Sequence, residues 1–280
     1  MKSISIIFGA ALLSSSCVLA DTAILVALPS EQGALSREIH IVGQPVELAQ
    51  HRVSIGYHKG EKLYIVRTGA GNLNSAMITQ ALLARYRIDR VISIGVAGNL
   101  NDEWKIGDLL IATNVVNHQE GKETPEGFQP AEKLASTQSR SEEYRKKCEA
   151  LQSNAVEIAR STLTNEIPRQ ARNDSPAIPE GRLVSGDSFI ASTPKRKWLR
   201  ETFQADAVDM VSAGIARVCE ANGVPYVIIR SLSDNADESA SAAFASFMQI
   251  AKEPATVPVA LALVERFATK APVFPPFAPH

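Results

Sequence analysis

Val224-Pro225-Tyr226-Val227-Ile228-Ile229-Arg230-Ser231-Leu232-Ser233-Asp234 follows directly on Asn222-Gly223, and its reading decides the fold. A glycine behind a helical pattern is a stop signal. The apolar run after it has the length of one strand buried on both faces, which is the habit of parallel sheets covered by helices. The run delivers Arg230 and then Asp234. In open α/β sheets ligands gather outside the carboxyl ends of the strands, so Asp234 stands where a site is expected.

The same kind of run recurs upstream. Ala23-Ile24-Leu25-Val26-Ala27-Leu28 ends at Pro29-Ser30-Glu31, and Leu63 to Val66 closes at Thr68-Gly69-Ala70-Gly71. Val91-Ile92-Ser93-Ile94 ends at Gly95-Val96-Ala97-Gly98, and Ile106 to Ala112 turns into a fourth strand. Helical patterns cover Gln32–Arg37, Asn74–Tyr86, Met210–Asn222 and Ala240–Ile250. This alternation predicts an α/β fold in one domain over 21–270. Its central mixed, largely parallel sheet is flanked by helices on both faces. Residues 117–180 are polar and charged, with one helical stretch near Glu142–Ser161 and an inserted, solvated loop at about 165–178. Residues 271–280 form a Pro-rich tail.

Composition bounds the function. Among 280 residues, 45% are hydrophobic and 21% charged, which suits a soluble domain with a sizeable core. A net charge of −1 gives no basic footprint, so nucleic acid is not an expected partner. Beyond the N-terminus no stretch is long and apolar enough to span a bilayer. Residues 1–20 read as a signal peptide: a positive start at Lys2, an apolar stretch from Ile4 to Leu13, and Val18-Leu19-Ala20 before Asp21. Export to the periplasm or medium is therefore expected. Cys17 raises a lipoprotein alternative, but Ser14 occupies the place where such signals prefer an aliphatic residue. Cys148 and Cys219 remain in the mature chain, and whether they pair is open at this point. Cys219, in helical spacing with Ile215 and Val218, reads as a buried thiol. The histidines are scattered without metal-ligand spacing, so neither a metal nor a cofactor is expected.

Several segments fall in one order that carries chemistry. They are Ala27-Leu28-Pro29-Ser30-Glu31, Thr68-Gly69-Ala70-Gly71-Asn72, Gly95-Val96-Ala97-Gly98, Ser185-Gly186-Asp187-Ser188-Phe189-Ile190, Val208-Asp209-Met210-Val211 and Arg230-Ser231-Leu232-Ser233-Asp234. In this order they resemble the nucleoside phosphorylase and nucleosidase superfamily, most closely the methylthioadenosine/S-adenosylhomocysteine nucleosidases. The resemblance covers nearly all of residues 22–268. Each Gly-rich turn is weak evidence alone, and the shared register makes them strong together.

The resemblance implies hydrolysis of the N-glycosidic bond of an adenosine-type nucleoside such as methylthioadenosine. Asp234 would be the acid that protonates the leaving purine, and burial at a strand end would raise its pKa. Glu31 would be the base that activates water. Phe189 and Ile190 would hold the purine, Met210 and Gly98 would lie beside the ribose, and Ser233 would flank the acid. Arg230 would orient water and the carboxylates; buried on an apolar strand, it needs a carboxylate or ligand partner in any case. Asp187 reads as structural. Side chains borrowed across a homodimer are also implied.

Two positions depart from the pattern. Val211 replaces the glutamate that binds both ribose hydroxyls in the family, and Val96 replaces a serine that helps to place the water. Both changes run from polar to apolar, so the altered part is sugar recognition. Two other functions stay open. A phosphate-dependent phosphorylase is disfavoured because Ser93 stands where those enzymes place a phosphate-binding arginine. A non-catalytic periplasmic binder of purine or nucleoside is motivated by Val96 and Val211.

Overall fold

The computed structural model describes residues 21–131, 141–166, 178–250 and 255–268. The expected signal peptide, Cys17, the Pro-rich tail and nearly all of the loop expected at 165–178 lie outside these residues.

The strands run β1 (Thr22–Val26), β2 (His40–Leu48), β3 (His51–His58), β4 (Glu61–Arg67), β5 (Arg90–Asn99) and β6 (Leu109–Asn117). They continue with β7 (Gly121–Thr124), β8 (Gly127–Pro130), β9 (Glu180–Ser185), β10 (Ala207–Asp209) and β11 (Tyr226–Asp234). The helices are α1 (Pro29–Glu38), α2 (Asn72–Arg85), α3 (Glu142–Glu166), α4 (Thr193–Phe203), α5 (Ser212–Asn222), α6 (Ala240–Ile250) and α7 (Thr256–Phe267).

A nine-stranded sheet has the order β10-β9-β6-β11-β5-β1-β4-β3-β2, while β7 and β8 form a separate hairpin. The centre is parallel, since β1 pairs in that sense with β4 and β5, and β5 with β11. The sheet is mixed because β6 runs antiparallel to β11 and β2-β3-β4 is an antiparallel meander. Strand β10 also turns back to pair with the end of β5. This partial closure brings Val208 opposite Gly98.

Period-two alternation divides the core. Ile24, Val26, Ile92, Ile94, Val227 and Ile229 pack on one face with side chains of α1, α3 and α7. Ala23, Leu25, Tyr64, Val66 and Val91 pack on the other with Ile78 and Leu82 of α2 and Ile215 and Cys219 of α5. Both faces being apolar is why these strands read as continuous hydrophobic runs. Gly214 seats α5 on α2, because a Cβ there would overlap the carbonyl oxygen of Asn72 and Oγ of Ser75. Helix α5 starts at Ser212, two residues later than the pattern suggested, because Met210 and Val211 belong to the turn leaving β10. Cys148 and Cys219 are free thiols, and Cys219 is buried.

Candidate active site

The carboxyl ends of β1, β5, β10 and β11 converge on a cavity of about 170 Å³. Asp234 lies on its wall, brought there by an irregularity in β11. The β5–β11 register shifts between Leu232 and Asp234, so Asp234 pairs with Gly98. Such a bulge re-aims the side chain that follows it. Oδ2 of Asp234 accepts from Oγ of Ser233 at 2.8 Å, and Oδ1 accepts from the amide of Ala236 at 2.9 Å. The side chain is buried, and burial raises its pKa against these two bonds, which lower it. A carboxyl that keeps its proton to higher pH is a better general acid. Gly98 makes room for it, since a Cβ there would lie 3.0 Å from Oδ1 of Asp234.

Beside the acid the cavity is apolar and aromatic, since Val208 and Asp234 both border Gly98. Phe189 remains 45% exposed, and it meets Phe244 edge-on at a centroid distance of 5.9 Å. Ile190 and Val208 complete this end. The segment that carries Phe189 is tied to α2 by two bonds. Asn72 Oδ1 accepts from Oγ of Ser185 at 2.9 Å, and the Asn72 amide donates to Oδ1 of Asp187 at 2.5 Å. Asp187 is thus a turn-holding residue.

Ala27, Leu28, Ala70, Val96, Met210 and Val211 also line the cavity. The structure brings Asp234, Ser233, Phe189, Ile190, Met210, Val211, Val96 and Gly98 to one cavity. It does not bring Glu31 or Arg230 to its wall.

Glu31 sits one layer behind Leu28 and Val96, which line both the main cavity and a void of about 10 Å³ beside Glu31. Its Oε2 accepts from the amides of Leu28 at 3.0 Å and Ala27 at 3.2 Å, closing the start of α1 as a capping carboxylate does. Its Oε1 has no partner among the described residues, nor do Oγ of Ser30 and Oγ1 of Thr256 beside the same void. A space of that size with polar groups around it is at the lower limit for one water molecule. Burial raises the Glu31 pKa from 4.5 to about 7, opposed by the amide bonds and the charge of Arg230.

Arg230 is fully buried and its donors are spent inside the protein. Nε donates to Asp209 Oδ2 at 2.8 Å; Nη1 donates to the carbonyls of Ser93 and Ile229; Nη2 donates to Oγ of Ser93 and Ser212. Five N–H groups meet five acceptors, so Arg230 has none left for a ligand. Ser93, where a phosphate-binding arginine was sought, is an acceptor for this guanidinium.

Asp209 is the residue that sequence reasoning passed over. It lies on the cavity wall and is the carboxylate partner of Arg230. The signal was present, since a buried arginine requires a buried anion. Nothing in the sequence showed that Val208-Asp209 is a strand that turns back onto the end of β5.

Fold and site together define an α/β enzyme with a buried carboxyl at the strand ends and aromatic side chains on the same cavity. The chain belongs to the phosphorylase superfamily, whose family model matches residues 21–266. It is 29% identical over 228 residues to the aminodeoxyfutalosine nucleosidase of Helicobacter pylori strain J99, covering 78% of this chain and 90% of that protein. It is also 29% identical over 226 residues to the 5′-methylthioadenosine/S-adenosylhomocysteine nucleosidase of Actinobacillus succinogenes, with 78% and 90% covered. Among solved structures, the H. pylori 5′-methylthioadenosine/S-adenosylhomocysteine nucleosidase with butyl-thio-DADMe-Immucillin-A superposes with a TM-score of 0.72 at 25% identity. That match covers 89% of this chain and 99% of the other. The native futalosine hydrolase of H. pylori strain 26695 gives 0.71 at 25% identity, with 89% and 98% covered.

Proposed function

We propose that the protein is a purine nucleosidase that hydrolyses the N-glycosidic bond of adenosine-type nucleosides with water as the nucleophile. The observation that carries this reading is the protonation-prone Asp234 at the wall of a cavity that also presents Phe189. The C1′–N9 bond breaks and its electron pair leaves with the purine. The proton of Asp234 goes to N7, so the base departs neutral. The oxygen of water bonds to C1′ and gives its proton to Glu31 through a water seated in the small void. The products are the free purine and the sugar hemiacetal.

Water is favoured over phosphate by charge. Among the described residues lining the cavity there is no Lys or Arg, and Arg230 behind it has no donor to spare. A dianion there would lose its hydration without a cationic partner. The test is adenine release from methylthioadenosine, adenosylhomocysteine and adenosine, with and without phosphate. Release that is independent of phosphate is expected. Strict phosphate dependence would make the protein a phosphorylase, and binding without release would make it a carrier.

Export and self-association belong to the same reading. The N-terminal signal pattern supports a periplasmic or secreted enzyme, and cell fractionation tests it. The resemblance supports a homodimer. So do Leu73 and Met77, one turn apart on α2, which expose 79% and 43% of their surface. A native mass of one chain at micromolar concentration would contradict the dimer.

A further inference from the structure

We propose that the cavity selects purine N-glycosides whose sugar lacks the 2′,3′-hydroxyl pair, preferring dideoxy- and deoxynucleosides to ribonucleosides. This rests on the nucleosidase reading for the placement of the purine beside Asp234 and Phe189.

That placement puts the sugar toward Val96. Gly98 and Val96 are two residues apart on β5 and face the same side of the sheet, so their Cα atoms are separated by roughly 7 Å. Gly98 meets the acid, while Val96 lines both the cavity and the void beside Glu31, as Leu28 does. The lining left for the sugar is therefore Leu28, Val96, Met210 and Val211, with Ala27 and Ala70. None of these side chains carries a hydrogen-bonding oxygen or nitrogen.

The polar groups next to Val211 and Leu28 are already engaged. Asp209 Oδ1 accepts from the amides of Val211 and Ser212, and its Oδ2 accepts from Ser212 Oγ and from Nε of Arg230. The carbonyl of Val211 accepts from Oγ of Ser75 at 2.7 Å, and the amides of Ala27 and Leu28 are held by Glu31. A sugar hydroxyl pressed against these apolar side chains gives up its bonds to water and gains none from them, which costs affinity. A methylene in the same place gains from burial. The wall thus discriminates against a diol by leaving it unpaired.

Dissociation constants provide the readout, because removal of a 2′-hydroxyl speeds glycosidic cleavage by itself and would distort turnover. Calorimetry on the full chain carrying Asp234→Asn, which slows turnover, compares adenosine, 2′-deoxyadenosine and 2′,3′-dideoxyadenosine. Binding should tighten in that order, with dideoxyadenosine at least about tenfold tighter than adenosine. Adding Val211→Glu should shrink or reverse the ratio by supplying a hydroxyl acceptor. Val96→Ser is the second route should that variant fail to fold, and it should shrink the ratio as well. Equal binding, tighter binding of adenosine, or no binding of any of the three overturns the proposal. A dideoxy preference in a wild-type protein that releases no base from any nucleoside keeps the selectivity and removes the hydrolase.

Discussion

Nε of Arg230 donates to Oδ2 of Asp209 across 2.8 Å, and both side chains are buried. This pair joins the middle of β11 to the end of β10, and so holds the bulged end of β11 against the turn that carries Met210 and Val211. Removal of one partner would strand a buried charge. Asp209→Ala is expected to cost about 3–5 kcal/mol of unfolding free energy. Arg230→Lys should also lose stability, because an ammonium has three donors for an acceptor set arranged around five. Urea unfolding of the variants checks this. An Asp209→Ala protein as stable as wild type would mean that the pair does not hold the turn.

Glu31 makes a prediction about pH. Its pKa rises from 4.5 to about 7 because burial penalises the carboxylate. The native state then binds this proton more tightly than the unfolded chain, so the contribution is complete below about 4.5 and is lost as pH rises to about 7. The loss is on the order of 3 kcal/mol. His118, pushed down to about 4 by burial, has the opposite slope, with stability gained as pH rises toward 6.5. The informative curve is therefore wild type minus Glu31→Gln across this range. It should fall with rising pH, and a flat difference would mean that Glu31 ionises freely in the native state. Activity should run the other way, rising as Glu31 deprotonates.

Gly98 is a position where geometry and stability separate. A Cβ would lie 3.0 Å from Oδ1 of Asp234 and 3.2 Å from Cβ of Ala236, so the acid must shift to accept it. Gly98→Ala is expected to lower kcat/KM at least about tenfold through misplacement of the acid. Its stability cost should stay within about 1–3 kcal/mol, as for overpacking elsewhere. Unchanged kcat/KM in the alanine variant would show that this carboxyl does not need its present position.

Much of this was legible in the sequence because it depended on local pattern. Strands β1, β4, β5 and β11 were apolar runs bounded by Gly or Pro, and the buried acid stood at the end of one of them. The meander of β2 and β3 was not legible, since most of β2 is exposed and its residues show no alternation strong enough to mark a strand. The β7–β8 hairpin was equally hidden in a polar stretch. Helix α7 follows a segment without clear capping signals and was missed despite its apolar face. At the site, the residues around Asp234 were found from motif order. The position of Glu31 behind Leu28 and Val96 was not, because it depends on which side of two apolar side chains a carboxylate falls. The partnership of Arg230 with Asp209 depends on β10 turning back onto the end of β5, the neighbour of β11, and no local pattern encodes that.

The central claim is that Asp234 donates a proton to a departing purine. Its most direct test is single-turnover release of adenine from methylthioadenosine by wild type and by Asp234→Asn, with enzyme in excess and melting temperature as a control on folding. Loss of a general acid should slow release by about 10²–10⁴-fold while the fold is kept. A folded asparagine variant that releases adenine within about threefold of wild type, well short of that range, would contradict the account.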